Sequence, residues 1–215
     1  MEKRNTKQII LEKALDLFSI RGYDGVSVKD IANAVGIRDS SLYKHYQSKQ
    51  EIFEKLMEEM DQRFDATTTR YHLPQGEILN IAAQYEANNL DWLQKAVEAM
   101  FLFFTQDDYV RKFTHLLMIE QYKNNIAAEL FRSWFIETGL SFQTALFSQM
   151  ISDGYFRKAD PRAMAVQFHG PVLLLIMMFD SQSILLEEAL RLLRCHVTEF
   201  ARNYTISREV SYEFK

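Results

Sequence analysis

The chain is poor in the residues that staple or interrupt a polypeptide. Among 215 residues there is one cysteine, Cys195, with only three prolines and seven glycines. A single thiol excludes an internal disulfide framework and a cysteine-based zinc cluster, and it fits a reducing compartment, so a cytoplasmic location is expected. So few chain breakers favour long helices over an all-β sandwich. The polar start Met1-Glu2-Lys3-Arg4-Asn5-Thr6-Lys7 leads into no signal-peptide core. The most hydrophobic stretch, 163–179, is interrupted by Gln167, His169, Gly170 and Pro171, and falls short of a clean span of roughly 20 apolar residues. A soluble protein with no membrane association is expected. Reaction machinery is lacking too: there is no Gly-x-Ser-x-Gly elbow, phosphate-binding glycine loop, Rossmann fingerprint or His-Glu-x-x-His pair. The five histidines, His45, His72, His115, His169 and His196, are too scattered to suggest a metal cluster. No enzymatic activity, cofactor or metal is expected.

What is present is an ordinary globular composition, 47% hydrophobic and 25% charged, with an uneven charge distribution. Residues 1–49 carry nine Lys or Arg and six acids, a balance of +3, inside a chain whose total is −4. The remaining residues hold 16 basic and 23 acidic groups. A small basic head on an acidic body suits a protein that meets a polyanion at one end.

Periodicity reads as helix throughout. Ile10, Ala14, Leu17 and Phe18 recur as one stripe over about Thr6 to Ile20, stopped at Arg21-Gly22. Ser27 and Asp30 form a capping box for a short helix that buries Val28, Ile31, Ala32 and Val35 and ends at Gly36. A third segment follows within a few residues, turning Leu42 and Tyr46 inward and Ser40, Ser41, Tyr43 and Lys44 outward. Two short helices joined by a tight glycine turn make a helix-turn-helix. A second box, Ser48 with Glu51, opens a helix to about Asp65. Pro74 and Gly76 then break the pattern, and further helices are expected at about 77–104, 108–123, 126–152, 161–180 and 184–204. Asp160 caps the fourth of these with Pro161 at its first position, and Gly170-Pro171 is expected to kink it. The organisation expected is a head at 1–49, a connecting helix at 50–65, and a body covering 50–215.

The run Gly22-Tyr23-Asp24-Gly25-Val26-Ser27-Val28-Lys29-Asp30-Ile31-Ala32, then Val35-Gly36-Ile37, then Leu42-Tyr43-Lys44-His45-Tyr46-Gln47-Ser48-Lys49, resembles the DNA-binding domain of TetR-family transcriptional regulators over roughly residues 8–57. The resemblance implies an all-α protein: an N-terminal three-helix helix-turn-helix domain, then a helical ligand-binding and dimerisation domain. It also implies a homodimeric, ligand-responsive repressor on a palindromic double-stranded operator, with activation as the alternative sign. It supports Tyr43, His45 and Lys49 as phosphate-backbone contacts, and Ser27 and Lys29 more loosely. The residues themselves agree. Lysines 29, 44 and 49 can neutralise phosphates, and the hydroxyls of Ser27, Tyr43 and Tyr46 can donate to phosphate oxygens, although Tyr46 is expected mainly in the core. Arg38, Ser40, Ser41 and Lys44 are the candidates for base edges in the major groove. Where many family members have a small capping residue this chain has Arg38, so Asp39 is expected to cap the third helix.

In the body, Val172 to Phe179 is apolar on every side. With the last helix it is expected to form an isologous interface through Leu175, Met178, Leu185, Ala189 and Leu192. An unidentified small apolar or aromatic effector is expected among Trp92, Met100, Phe104, His115, Met118, Tyr122, Trp134 and His169, with a histidine as polar anchor. The competing class is a helical protein-interaction scaffold without specific DNA binding, which leaves the basic head and its two capping boxes unexplained.

Overall fold

A computed structural model describes residues 5–70 and 77–206, without the side chains of 67–70 and 84–91. Its helices are α1 (Thr6–Arg21), α2 (Val28–Val35), α3 (Asp39–Leu42), α4 (Lys49–Arg70), α5 (Ile78–Gln106), α6 (Asp108–Glu120), α7 (Asn125–Arg132), α8 (Thr138–Ser152), α9 (Pro161–Asp180) and α10 (Leu186–Tyr204). Between α7 and α8 lies a π-helical turn, Ser133–Glu137, where the sequence pattern predicts one continuous helix. The extended backbone forms a single isolated bridge, Phe156 to Thr205, among the described residues. The protein is all-α. His72 and the expected break at Pro74 and Gly76 lie outside the described residues; α4 runs on to Arg70, past the expected end near Asp65.

The chain forms two compact units: Met1–Leu73 with Leu102–Trp134, and Pro74–Phe101 with Phe135–Lys215. The first unit therefore holds the head together with α6 and α7, a grouping drawn by packing rather than by the 49/50 division of the sequence. In it α1 packs on α2, α4 and α6. The stripe that faces them is Ile10, Leu11, Ala14, Leu15 and Phe18, all buried, while Leu17 is only half-buried. Phe18, Ile31, Leu42, Ile52 and Leu56 are all but sealed from solvent, so a few large side chains from four helices fix the angles of the head.

Ion pairs reinforce that packing. Glu59 on α4 accepts from Gln8 of α1 and from Arg63, and Arg63 reaches Asp107, whose carboxylate caps α6 through the Tyr109 and Val110 amides. The Arg63 guanidinium lies 4.3 Å from the Tyr109 ring centroid, and the Tyr109 hydroxyl donates to the Leu56 carbonyl at 2.7 Å. Burial, with Glu59 nearby, pushes the Tyr109 phenol far up, so it stays protonated and keeps that bond.

In the second unit α8 and α10 pack on α9. Asp160 caps α9 by accepting from the Ala163 amide at 2.7 Å, with Pro161 at the first turn, and the helix continues through Pro171. Phe147, Phe156, Phe168, Phe200 and Tyr204 form a contiguous aromatic core. By length and composition α9 is long and apolar enough to cross a membrane, contrary to the reading of its interrupted pattern. Its apolar character has two sides: Met164, Ala165, Phe168, Leu175 and Ile176 are buried in the unit, while Val166, Leu174 and Met177 are exposed.

Candidate nucleic-acid interface

The geometry of the head follows from its caps. Ser27 sits extended before α2, its Oγ accepting the Asp30 amide while Asp30 accepts from the Ser27 amide at 2.8 Å. The Ser27 hydroxyl also donates to that carboxylate, which holds Asp30 below the usual carboxylate range. Ser27 is thus exposed, but its hydroxyl proton is already engaged and serves the cap rather than a phosphate. Gly36 ends α2 at φ +79°, ψ +30°, a left-handed conformation, and the Ile37 amide closes back on the Ala32 carbonyl. That turn aims α3. The cap position of α3 is Arg38, without a side-chain cap bond, and Asp39 is the first helical residue rather than the cap. Beyond Leu42 the backbone continues in tight turns, with the Lys44 amide bonding Ser41 and the His45 and Tyr46 amides bonding Leu42.

This arrangement sorts the candidate residues. Lys29, Arg38, Ser40, Tyr43 and Lys44 are exposed, Tyr43 at 52%, and Ser41 and His45 are half-buried beside them. Leu42 anchors the segment from below at 0% exposure. Tyr46 is core: it is 4% exposed, its hydroxyl donates to the Lys7 carbonyl, and burial, then Glu51 and Glu59, pushes its phenol up to about 12. It offers no hydroxyl to a phosphate. Lys49 departs most from expectation. Its ammonium donates to the carbonyls of Tyr23 at 2.8 Å and Val26 at 3.0 Å and lies 4.1 Å from the Tyr23 ring centroid. Two of its three donors therefore hold the α1–α2 turn. At the start of α4, Ser48 accepts the Glu51 amide, whereas the Glu51 carboxylate reaches past the cap residue to the Gln47 amide.

The effector candidates fall in both units. Trp92, Met100 and His169 lie in the second unit, and Phe104, His115, Met118, Tyr122 and Trp134 in the first. Tyr122 is 88% exposed and lines nothing enclosed. The Nε2 of His169 bonds the Phe135 carbonyl of the π turn at 2.7 Å, and its ring lies against Gly139, where a Cβ would stand 2.7 Å away. It ties α9 to the start of α8. In the first unit Phe104 stacks edge-on to Phe103, and Phe64 touches both Phe103 and Trp134. A cavity of about 410 Å³ in that unit is lined by charge, including Glu12, Asp16, Arg63, Asp107, Asp108 and Lys112, and by none of the eight candidates.

The interface candidates divide as well. Leu175 and Ala189 are buried inside the second unit; Met178 and Leu192 are half-buried and Leu185 is 80% exposed. The outward stripe of α9 runs instead through Val166, Gly170, Leu174 and Met177. The outward face of α10 is charged, with Glu188–Arg191 and Glu199–Arg202 pairs and an Arg194 bond to Glu98 of α5.

Comparison with known proteins finds matches at the level of the head and of the fold. Residues 10–56 match the bacterial regulatory proteins of the tetR family. IcaR, the HTH-type negative transcriptional regulator of the biofilm operon icaADBC in Staphylococcus epidermidis, is 46% identical over 52 residues, 24% of this chain and 28% of IcaR. The head of this chain is thus similar to the DNA-binding domain of TetR-family regulators. The match to the curated relatives spans only about a quarter of their length. Beyond it the likeness is of fold. A TetR-family protein from Mesorhizobium loti superposes with a TM-score of 0.64 at 17% identity, covering 96% of this chain and all of that one. AibR, in complex with isovaleryl coenzyme A and operator DNA, gives 0.64 at 22% identity over 91% of this chain and 97% of AibR. Against this TetR-family frame, sequence reasoning missed the Gln8–Glu59–Arg63–Asp107 chain and the buried carboxylate of Glu120. Spacing carries no signal for contacts between helices so far apart in the chain.

Proposed function

We propose that this chain is a homodimeric repressor that binds a palindromic operator and releases it when a small effector occupies its helical body. The observation that carries this reading is the exposed polar face of α2 and α3. Lys29 and Ser40 stand on α2 and α3, and Arg38, Tyr43 and Lys44 flank α3, which Leu42 anchors from below. Lys29, Lys44 and the Tyr43 hydroxyl engage phosphates, and Arg38 and Ser40 reach base edges. Repression accords with IcaR, a negative regulator whose head resembles this one. The outward α9 stripe supplies the two-fold contact, which sets paired heads about 34–36 Å apart, one turn of duplex. Gly170, with open space around its Cα, forms a notch in that stripe where a partner helix can approach closely.

An apolar or aromatic effector accords with the half-buried rings of Phe104 and Trp134 beside Phe64 and Phe103, and with the isovaleryl coenzyme A held by AibR. Bound ligand shifts α4, whose polar ties run to α1 and α6, and lowers operator affinity by a coupling of about 1–3 kcal/mol. A cytoplasmic location goes with this role. Selection from a random duplex pool tests it: one palindromic site is enriched, its occupancy falls steeply with salt, and transcription from that site drops when the protein is present. No enrichment, or a flat salt response, favours a protein-interaction scaffold.

A further inference from the structure

The α1–α2 turn is gripped from two sides by residues that lie far from it in sequence. On one side Glu120, the last residue of α6, is 1% exposed, and its Oε1 accepts the Tyr23 amide at 3.0 Å. On the other, Lys49 at the head of α4 donates to the Tyr23 and Val26 carbonyls. The same residue is fixed by its ring, which meets Phe18 and Phe53, and by its hydroxyl, which donates to Gln50 at 3.1 Å. Gly22 completes the clamp. Its φ is +73°, and a Cβ there would stand 2.2 Å from Glu120 Oε1, so the glycine admits the carboxylate. Directly after this turn come Val26, which is buried, and Ser27, the cap that starts α2.

From this geometry we infer that Glu120 is a positioning residue of the DNA-reading head. It acts through the backbone of Tyr23, whose N–H is fixed by α6 and whose C=O is fixed by α4, so the origin of α2, and with it the aim of α3, follows both helices. The cost of a buried carboxylate whose second oxygen has no partner among the described residues argues that the position is held for this bond rather than for packing. The inference rests on the operator-binding reading, and it adds a residue outside the head to the machinery that reads DNA.

Two variants of the full-length protein test it. Glu120→Gln keeps an acceptor oxygen of the same reach, and Glu120→Ala removes it. Amide hydrogen exchange at Tyr23 reports the bond without any DNA: protection persists in Glu120→Gln and falls at least tenfold in Glu120→Ala. Affinity for the duplex selected by the wild-type protein falls about tenfold in Glu120→Ala and recovers to within about threefold in Glu120→Gln. Affinity for unselected duplex at low salt changes less than twofold in both. Unchanged Tyr23 exchange, or an equal loss of specific and non-specific binding, overturns the positioning role, as does failure of Glu120→Gln to restore affinity while its thermal unfolding matches wild type. If the wild-type chain selects no duplex, the operator reading falls and the role of Glu120 in reading DNA falls with it, although the exchange result still establishes the clamp.

Discussion

Two exposed faces of this chain are built on opposite principles. The α2–α3 face presents cations and hydroxyls, with its apolar side chains turned inward onto α1 and α4. The outer face of α9 presents Val166, Leu174 and Met177, with polar groups such as Gln167 interspersed and the charged pairs confined to α10. A charged face on short helices suits a partner that is itself charged and rigid, where position matters more than buried area. An apolar stripe on a 20-residue helix meets a partner through area removed from water. In the proposed function, the second surface would serve to place two copies of the first.

Breaking the support under the first face has the largest expected effect. Leu42→Ala empties a site of 0% exposure and costs about 2–5 kcal/mol, measured by urea unfolding, with DNA binding lost alongside. Disabling the second face comes next. Leu174→Arg with Met177→Glu places charge on the exposed stripe and yields a monomer by sedimentation while helical content is retained; an undiminished dimer rejects the α9 contact. A sharper comparison is internal to the head. Lys44→Ala lowers operator affinity about tenfold and reduces the salt slope by about 1, leaving stability unchanged. Lys49→Ala, by contrast, frees two carbonyls and lowers stability by about 1–3 kcal/mol with little change in the salt slope. The smallest effect is electrostatic. Burial opposes the charge on Asp16, but its bonds to Lys112 and Lys13 outweigh that and hold its carboxyl below the usual value. A lowered folded pKa gives stability that is present at neutral pH and lost as pH falls through that pKa. Asp16→Asn therefore costs about 0.5–1 kcal/mol at pH 7 in thermal unfolding, and the difference vanishes in acid.

The two regions were not equally legible from sequence. In the head, caps and glycines act over three or four residues, so Ser27, Gly36, Ser48 and the inward turn of Leu42 and Tyr46 could all be read from spacing. What escaped was the third dimension: Lys49 and Ser27 carry groups suited to phosphate, but their hydrogen bonds are taken up by Tyr23, Val26 and Asp30. The body offered less. A uniformly apolar run such as Val172–Phe179 has no polar residue to mark its outer side, so Leu175 and Leu174 are indistinguishable in sequence although one is buried and the other exposed. Met- and aromatic-rich positions mark a ligand site only weakly, because core and pocket use the same residue types. The π turn at Ser133–Glu137 left no mark at all, since no proline or glycine falls within it.

The most direct measurement is equilibrium binding of the purified chain to a palindromic duplex recovered from a random pool, titrated with salt and read together with stoichiometry. Two chains per duplex, a preference of at least a hundredfold over scrambled sequence, and a log–log salt slope steeper than about −4 are predicted. Equal affinity for every duplex, or binding indifferent to salt, contradicts the account.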